Sequence, residues 1–436
     1  MKIAVIGGGG LRTPLLVNGL AHSDLPIDEI ALYDTDQDRL SIVASLAREY
    51  SAAARACTDV RACVSDAAFV VLSIRVGGIA ARARDEAISL EHGTVGQETV
   101  GAGGFAMALR TIPHAIEYAR LVAREAPRAW IVNFTNPVSI VMQAITSQTS
   151  ARAVGICDTP TELFEDVAGV LGLDASQCHF DYFGLNHLGW LREVYFDAEP
   201  QLERVWQDPA LIGRIYRAPL FDARFLQMMR LLPTEYLFYY YFPRAAIDNM
   251  KKAGATRGQA LVALNAQLFR DLSASTDRRG MYERYLAARD ASYMQIESRV
   301  AGPTTRSSAD RVTSASGSVT GYDKIALHVI RGIHFNSNAI IPLNVRNRGT
   351  LDGLADEDIV EVPCVVNANG AHPLHVRRVP DHVRELLVRV KEYERLTVDA
   401  ATTGSKDAAV RALARNPLVG EPPLAERLVH ALQALA

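Results

Sequence analysis

Apolar runs of strand length recur through the first part of the chain, at Ile3 to Ile6, Ile30 to Tyr33, Phe69 to Ile74, Trp130 to Phe134 and Ala153 to Ile156. Between them lie segments with helical periodicity, such as Asp38 to Ala54 and Phe105 to Ala126. Strands that are apolar on both faces, separated by helices, predict a parallel sheet covered on each side, hence an α/β doubly wound fold of Rossmann type. In such a fold ligands lie beyond the carboxyl ends of the strands. Gly7, Arg75, Asn136 and Cys157 each follow such an end, so distant segments should converge on one crevice.

After about residue 195 the pattern changes. A mostly helical stretch runs from Leu202 to Val300, with Pro219, Pro233 and Pro243 as expected breaks. A Ser/Thr/Gly-rich segment at Pro303 to Gly321 predicts a mobile or surface loop. Strand-like runs return at Ala339 to Val345 and Ile359 to Val366, followed by a turn at His372-Pro373 and two closing helices. The expected division is a nucleotide-binding domain over 1–195 and an α+β substrate-binding and oligomerisation domain over 196–436.

Composition narrows the function. With 46 basic and 49 acidic residues interspersed and a net charge of -3, nothing points to nucleic acid or an anionic membrane. No apolar run is long enough to span a bilayer, and a strand begins at residue 3, so a cytoplasmic protein is expected. Five scattered cysteines argue against a disulfide framework.

Two features carry chemistry. The run Gly7-Gly8-Gly9-Gly10-Leu11-Arg12 follows the first strand, with Thr13-Pro14 opening a helix and Asp34 ending the next strand, where a carboxylate would bind an adenosine ribose and disfavour a 2′-phosphate. Arg12 stands where a third glycine is usual, which makes this a variant fingerprint. Cys157 and His187 pair a soft with a borderline ligand near strand ends, as an open catalytic site for a divalent transition metal requires.

Taken in order, Gly7 to Pro14, Leu32-Tyr33-Asp34, Arg75-Val76-Gly77-Gly78, Gly96-Gln97-Glu98-Thr99, Gly103-Gly104-Phe105, Asn133-Phe134-Thr135-Asn136-Pro137, Cys157-Asp158-Thr159-Pro160 and Gly184 to Trp190 resemble glycoside hydrolase family four. Gly321 to Ala326 and Asn369 to Pro373 extend the resemblance over nearly the whole chain. The resemblance implies a lactate/malate dehydrogenase-like second domain and an enzyme that cleaves 6-phosphoglycosides with NAD⁺ and Mn²⁺, outside the usual two-carboxylate route. It implies oxidation of the sugar at C3, loss of the C2 proton, elimination at C1, addition of water and return of the hydride.

The same resemblance distributes roles over the residues. It gives NAD⁺ to Gly7, Gly8, Gly9, Gly10, Leu11, Arg12, Asp34 and Arg39, and the metal to Cys157 and His187. It gives the phosphorylated glycoside to Arg82, Asn136, Asn186, Glu98 and Arg257. The base maps to Tyr236, within Pro233-Thr234-Glu235-Tyr236-Leu237, and a nearby cation must lower its pKa from near 10. Asp158 either donates a proton to the leaving oxygen or caps the helix that follows. Glu98 either orients a sugar hydroxyl or water, or is salt-bridged in its loop.

Cys157-Asp158 resembles relatives acting on phospho-α-glucosides, while the Asn133 to Pro137 and Asn186 to Trp190 segments resemble the β-specific branch. The expectation is a 6-phospho-β-glucosidase forming a homodimer or homotetramer. A 6-phospho-α-glucosidase, an NAD-dependent 2-hydroxyacid dehydrogenase and a catalytically silent sugar-phosphate sensor are the alternatives.

Overall fold

The computed structural model describes residues 1–216, 220–292, 294, 296, 322–376 and 378–433. The loop expected at Pro303 to Gly321 and the break at Pro219 lie outside the described residues.

Strands β1 (Lys2–Ile6), β2 (Glu29–Tyr33), β3 (Ala54–Cys57), β4 (Phe69–Leu72), β5 (Trp130–Asn133) and β6 (Arg152–Gly155) pair in parallel, in the spatial order β3-β2-β1-β4-β5-β6. That is the doubly wound order expected from the apolar runs. Alternate residues of one strand enter opposite cores. Ile3, Val5, Ile30, Leu32 and Val71 pack into one cluster, and Ala4, Ile6, Ala31, Val70 and Leu72 into another. The period-2 geometry of a strand requires this wherever helices cover both faces.

A second sheet is built from the hairpin β7 (His179–Leu185) and β8 (Leu188–Phe196), with β9 (Glu199–Pro200) and β10 (Leu232–Pro233) both on β8. Strands β11 (Ala339–Arg346), β12 (Ile359–Asn367) and β13 (Gly370–Pro373) do not form a sheet of their own. They continue the first sheet antiparallel beyond β6, giving nine strands among the described residues. One apolar cluster accordingly runs from Ile3 to Leu432.

Several expectations are corrected. The helix predicted over Asp38 to Ala54 is Gln37–Arg48, and Ala54 begins β3, whose burial pattern is too irregular to announce a strand. Three helices close the chain rather than two: Asp381–Thr403, Lys406–Arg415 and Pro422–Gln433. His372 and Pro373 lie in β13 paired to β12, not in a turn. The stretch after Leu202 is interrupted by β10 as well as by proline breaks. Among the described residues no helix is long and apolar enough to cross a membrane.

The first helix of the closing set is pinned by a buried polar cluster. Lys391 is fully buried and donates to Glu394 and, at 3.2 Å, to Ser139 of helix Val138–Gln148, whose hydroxyl in turn donates to Glu394 at 2.7 Å. Buried charges persist only when paired and hydrogen-bonded in this way.

The turn after β1 runs so close to β4 that it dictates a residue. Gly7 has φ +94°, and a Cβ there would lie 2.1 Å from the Ser73 carbonyl oxygen. Gly7→Ala combines left-handed strain with a backbone clash, and should destabilise the protein by on the order of 2–4 kcal/mol in denaturant unfolding. An unchanged unfolding midpoint would contradict the packing described.

Candidate active site

The glycine run folds into a cradle pinned by its own backbone. The Gly7 and Gly8 N–H groups both donate to the Tyr33 carbonyl, at 2.9 and 2.7 Å, and Gly9 N–H donates to Asp34 Oδ2 at 2.9 Å. Arg12 occupies the N-cap position of helix Thr13–Ala21. Tyr282 donates to the Leu11 carbonyl at 2.6 Å, so helix Arg278–Ala291 holds the loop from outside. The Arg39 guanidinium lies over the Phe269 ring, 4.8 Å from its centroid.

A cavity of about 590 Å³ opens beside this cradle. Its wall includes Gly7, Gly10, Leu11, Arg12, Asp34 and Arg39 together with Arg82, Glu98, Asn136, Asp158, Tyr236 and Arg257. Residues predicted separately for nucleotide and sugar thus share one chamber. Gly8, Gly9, Cys157, Asn186 and His187 do not line it.

The arginines enter the chamber already engaged. Arg82 donates to Glu86 and Glu98, at 2.7 Å each, and Arg75 pairs with Glu98 from another side. Burial opposes charge on Glu98, but Arg75 and then Arg82 outweigh it and hold its carboxyl down at about 2. Glu86 also accepts the Gly258 N–H at 2.7 Å, which ties helix Arg257–Ala274 to Arg82. Arg257 itself donates to the Ser292 carbonyl at 3.2 Å. Arg289 lines the same wall; burial lowers its pKa, and so do the neighbouring charges of Arg12 and Arg257. Sequence reasoning missed Arg289, because it sits on a helix surface with no motif around it.

His187 is placed by the hairpin. Asn186-His187 is the two-residue turn between β7 and β8, and His187 takes φ +63°. Its Nδ1 lies 2.8 Å from Thr99 Oγ1, and its Nε2 is buried with no hydrogen-bond partner among the described residues. Burial pushes the imidazole pKa down to about 3, so the ring is neutral over the physiological range. Tyr236 reaches it through β10: Pro233 pairs with Trp190, Thr234 N–H donates to the Gly189 carbonyl at 2.9 Å, and Tyr236 starts helix Leu237–Tyr241. The phenol ring then lies flat on the imidazole, with centroids 3.6 Å apart and planes within 2°.

Cys157 follows β6 and is buried; its thiol donates to Thr159 Oγ1 at 3.4 Å. Burial raises the thiol pKa, and the charges of Glu361 and Asp158 raise it further. Asp158 makes no side-chain cap bond to helix Thr159–Leu171, so the capping role considered for it is not the one found. Among the described residues no group of three or more His, Cys, Asp or Glu is arranged to hold a metal ion.

Asn136 sits on a loop locked to β4: Thr135 Oγ1 donates to the Leu72 carbonyl at 3.1 Å and accepts the Ile74 N–H at 3.0 Å. The Asn136–Pro137 bond is cis, and Asn136 Oδ1 is buried without a partner among the described residues.

Glu361 on β12 is the residue no sequence signal indicated. It is buried and accepts from Tyr182 at 2.7 Å, Asn344 at 2.8 Å and Asn186 at 3.2 Å. Burial pushes its carboxyl up to about 7 even though all three hydrogen bonds work the other way.

The profile described as family 4 glycosyl hydrolase matches residues 2–173, and that of the family 4 glycosyl hydrolase C-terminal domain matches residues 182–419. A probable 6-phospho-beta-glucosidase of Bacillus subtilis is 30% identical over 445 residues, covering 98% of this chain and 95% of its own length. A phospho-alpha-glucosidase of Clostridium acetobutylicum is 29% identical, over 99% of this chain and 96% of its own. The 6-phospho-beta glucosidase of Thermotoga maritima, solved with manganese, NAD⁺ and glucose-6-phosphate, superposes with a TM-score of 0.81 at 28% identity, over 100% of this chain and 98% of its own. A lactate dehydrogenase from a deep-sea metagenome shares the fold alone, with a TM-score of 0.52 at 15% identity, over 92% of this chain and 98% of its own.

The perturbed carboxyl gives a measurable signature. Because Glu361 is raised from 4.5 to about 7, the native state binds an extra proton between those values, and stability falls as pH rises through that window. Glu361→Gln keeps the shape and removes the ionisation, so this decline, on the order of 3 kcal/mol, should be absent from its unfolding free energy between about pH 5 and about 8. Parallel wild-type and variant profiles would show that Glu361 titrates normally.

Proposed function

This chain belongs to family 4 of the glycosyl hydrolases, and from that premise we propose that it is a 6-phospho-β-glucosidase dependent on NAD⁺ and Mn²⁺. The observation that carries the reading is Tyr236, in the wall of a chamber shared with the glycine cradle, lying flat on His187 behind it. A base, a neutral imidazole and a nucleotide loop in one place suit proton abstraction beside a hydride acceptor.

The residues fit both cofactors. The backbone at Gly7 leaves no room for a side chain, and Gly10, Arg12 and Asp34 border the chamber where a pyrophosphate and ribose would lie. The orphaned Nε2 of His187 offers a buried lone pair, and Cys157 would supply sulfur as a thiolate, its proton displaced and released to solvent when a cation binds. Two such protein donors leave positions open for substrate oxygens, as catalysis requires. When bound, NAD⁺ supplies a hydride acceptor for the sugar C3 and the cation a Lewis acid for its C2 and C3 oxygens.

The protein's own residues then act on the acidified C2 proton. The Tyr236 oxygen takes it as general base, and Arg82, which attracts the Tyr236 charge, favours the phenolate. Glu86 and Glu98 hold the Arg82 guanidinium in place for that task. Asp158, in the chamber wall, donates a proton to the departing C1 oxygen as elimination proceeds. Arg257 and Asn136 bind the 6-phosphate end, with Arg289 adding positive charge to the same wall. Asn186, held by Glu361 outside the chamber wall, fixes the hairpin turn that carries His187 rather than contacting the sugar directly. The β preference is supported by the Bacillus and Thermotoga relatives, both described as β enzymes.

A panel of p-nitrophenyl glucosides, α and β, with and without a 6-phosphate, assayed with NAD⁺ and Mn²⁺, tests substrate class and anomer together. Only the β 6-phosphate should be cleaved; preference for the α anomer would overturn the β assignment, and cleavage without phosphate the whole reading. In D₂O the released sugar phosphate should carry deuterium at C2, whereas unlabelled product excludes the elimination route. Tyr236→Phe should lower kcat by at least about 100-fold with little change in folding stability.

A further inference from the structure

The segment Gly96-Gln97-Glu98-Thr99 sends only Glu98 into the chamber's ion pairs, yet Thr99 beside it reaches His187 and Gln97 reaches Thr99. Gln97 Oε1 accepts three hydrogen bonds, from Thr99 N–H at 2.5 Å, Val100 N–H at 3.0 Å and Thr99 Oγ1 at 2.9 Å. Two backbone donors fix which end of the Gln97 amide faces them, since its NH₂ group could not accept them. The amide oxygen has no proton to give, so the Thr99 hydroxyl proton points to Gln97. Only a lone pair of Thr99 Oγ1 is then left for His187 Nδ1, 2.8 Å away. The ring nitrogen facing that lone pair must carry the imidazole proton, which leaves Nε2 unprotonated.

We propose that Thr99, itself aligned by Gln97, is a positioning residue that locks His187 as the Nδ1–H tautomer and thereby presents the Nε2 lone pair to a divalent cation. The inference rests on the reading of His187 as a cation ligand and deepens it. The burial of Nε2 without a partner is its counterpart: that atom is prepared for something other than a protein donor. Hydrogen-bonded partners of this kind orient metal-binding imidazoles and raise their basicity.

The relay is rigidly seated. Gln97 and Thr99 are both buried, and helix Gly101–Glu125 begins directly against them. A Cβ on Gly103 would lie 2.2 Å from the Gln97 carbonyl oxygen, so the run Gly101-Ala102-Gly103-Gly104 lets the helix press onto this strand of backbone. The close approach accounts for glycines in the first turn of a 25-residue helix, where they otherwise disfavour helix formation.

The test is a titration of the purified protein with Mn²⁺ alone, with free Mn²⁺ followed by electron paramagnetic resonance, for wild type, Thr99→Val, Thr99→Ser and His187→Ala. Thr99→Val should weaken Mn²⁺ binding by about 10- to 100-fold, with Thr99→Ser remaining within about threefold of wild type. Wild-type affinity in Thr99→Val, alongside lost binding in His187→Ala, overturns the positioning role and leaves the ligand intact. Wild-type affinity in His187→Ala overturns the ligand reading itself. A second measurement needs no variant: in metal-free wild type labelled with ¹⁵N-histidine, His187 should show a protonated Nδ1 and an unprotonated Nε2, and the reverse pattern refutes the proposal.

Discussion

A single buried carboxylate holds the two sheets in register where the site forms. Glu361 comes from β12 of the large sheet and takes hydrogen bonds from Tyr182 on β7 and Asn186 in the hairpin turn of the small one, as well as from its own sheet neighbour Asn344. Asn186 precedes His187, and the charge of Glu361 is felt at Cys157. The two residues assigned to the cation therefore arrive from different sheets and are related through one acceptor. Hydrogen bonds to a charged or chargeable buried group contribute about 1.5–3 kcal/mol each, and losing the acceptor would leave three donors without partners. The position of β11 and β12 beyond β6 is what puts that acceptor beside the site.

Around this junction the cavity wall is organised by charge. Arg75, Arg82, Glu86 and Glu98 form a chain of ion pairs in which no member is left buried with its charge uncompensated. On the other side burial depresses the pKa of Arg289, and the nearby charges of Arg12 and Arg257 depress it further. One face of the chamber is thus internally neutralised and rigid, and another is arranged to welcome an anion. A dinucleotide pyrophosphate and a sugar phosphate both demand the second kind of surface, and the proton transfer proposed for Tyr236 would profit from the first.

Rigidity also explains why the elements that position Tyr236 and His187 can be so short. Strand β10 has only two residues, yet its pairing to β8 fixes the angle at which Tyr236 meets His187. A two-residue hairpin turn does the same for His187. Chain entropy is small over such distances, and geometry is passed on by backbone hydrogen bonds rather than by long flexible side chains.

The alternation of apolar runs with helical segments determined the doubly wound sheet, because residues buried on both faces of a parallel strand must be apolar whatever surrounds them. The tight turn of the glycine run was legible for a similar reason, since local backbone geometry restricts that site to a few residue types, whereas Tyr236 was singled out only through the family resemblance. What tertiary structure alone decided was of another kind. β3, with an exposed middle, carries no strand signature; nothing local says that β11 to β13 join the first sheet; and Glu361, Thr99 and Arg289 are ordinary residues until folding sets them beside distant partners. Their roles depend on which groups share a desolvated space, 88 residues apart for Thr99 and His187 and 175 for Asn186 and Glu361, and one-dimensional order does not encode that.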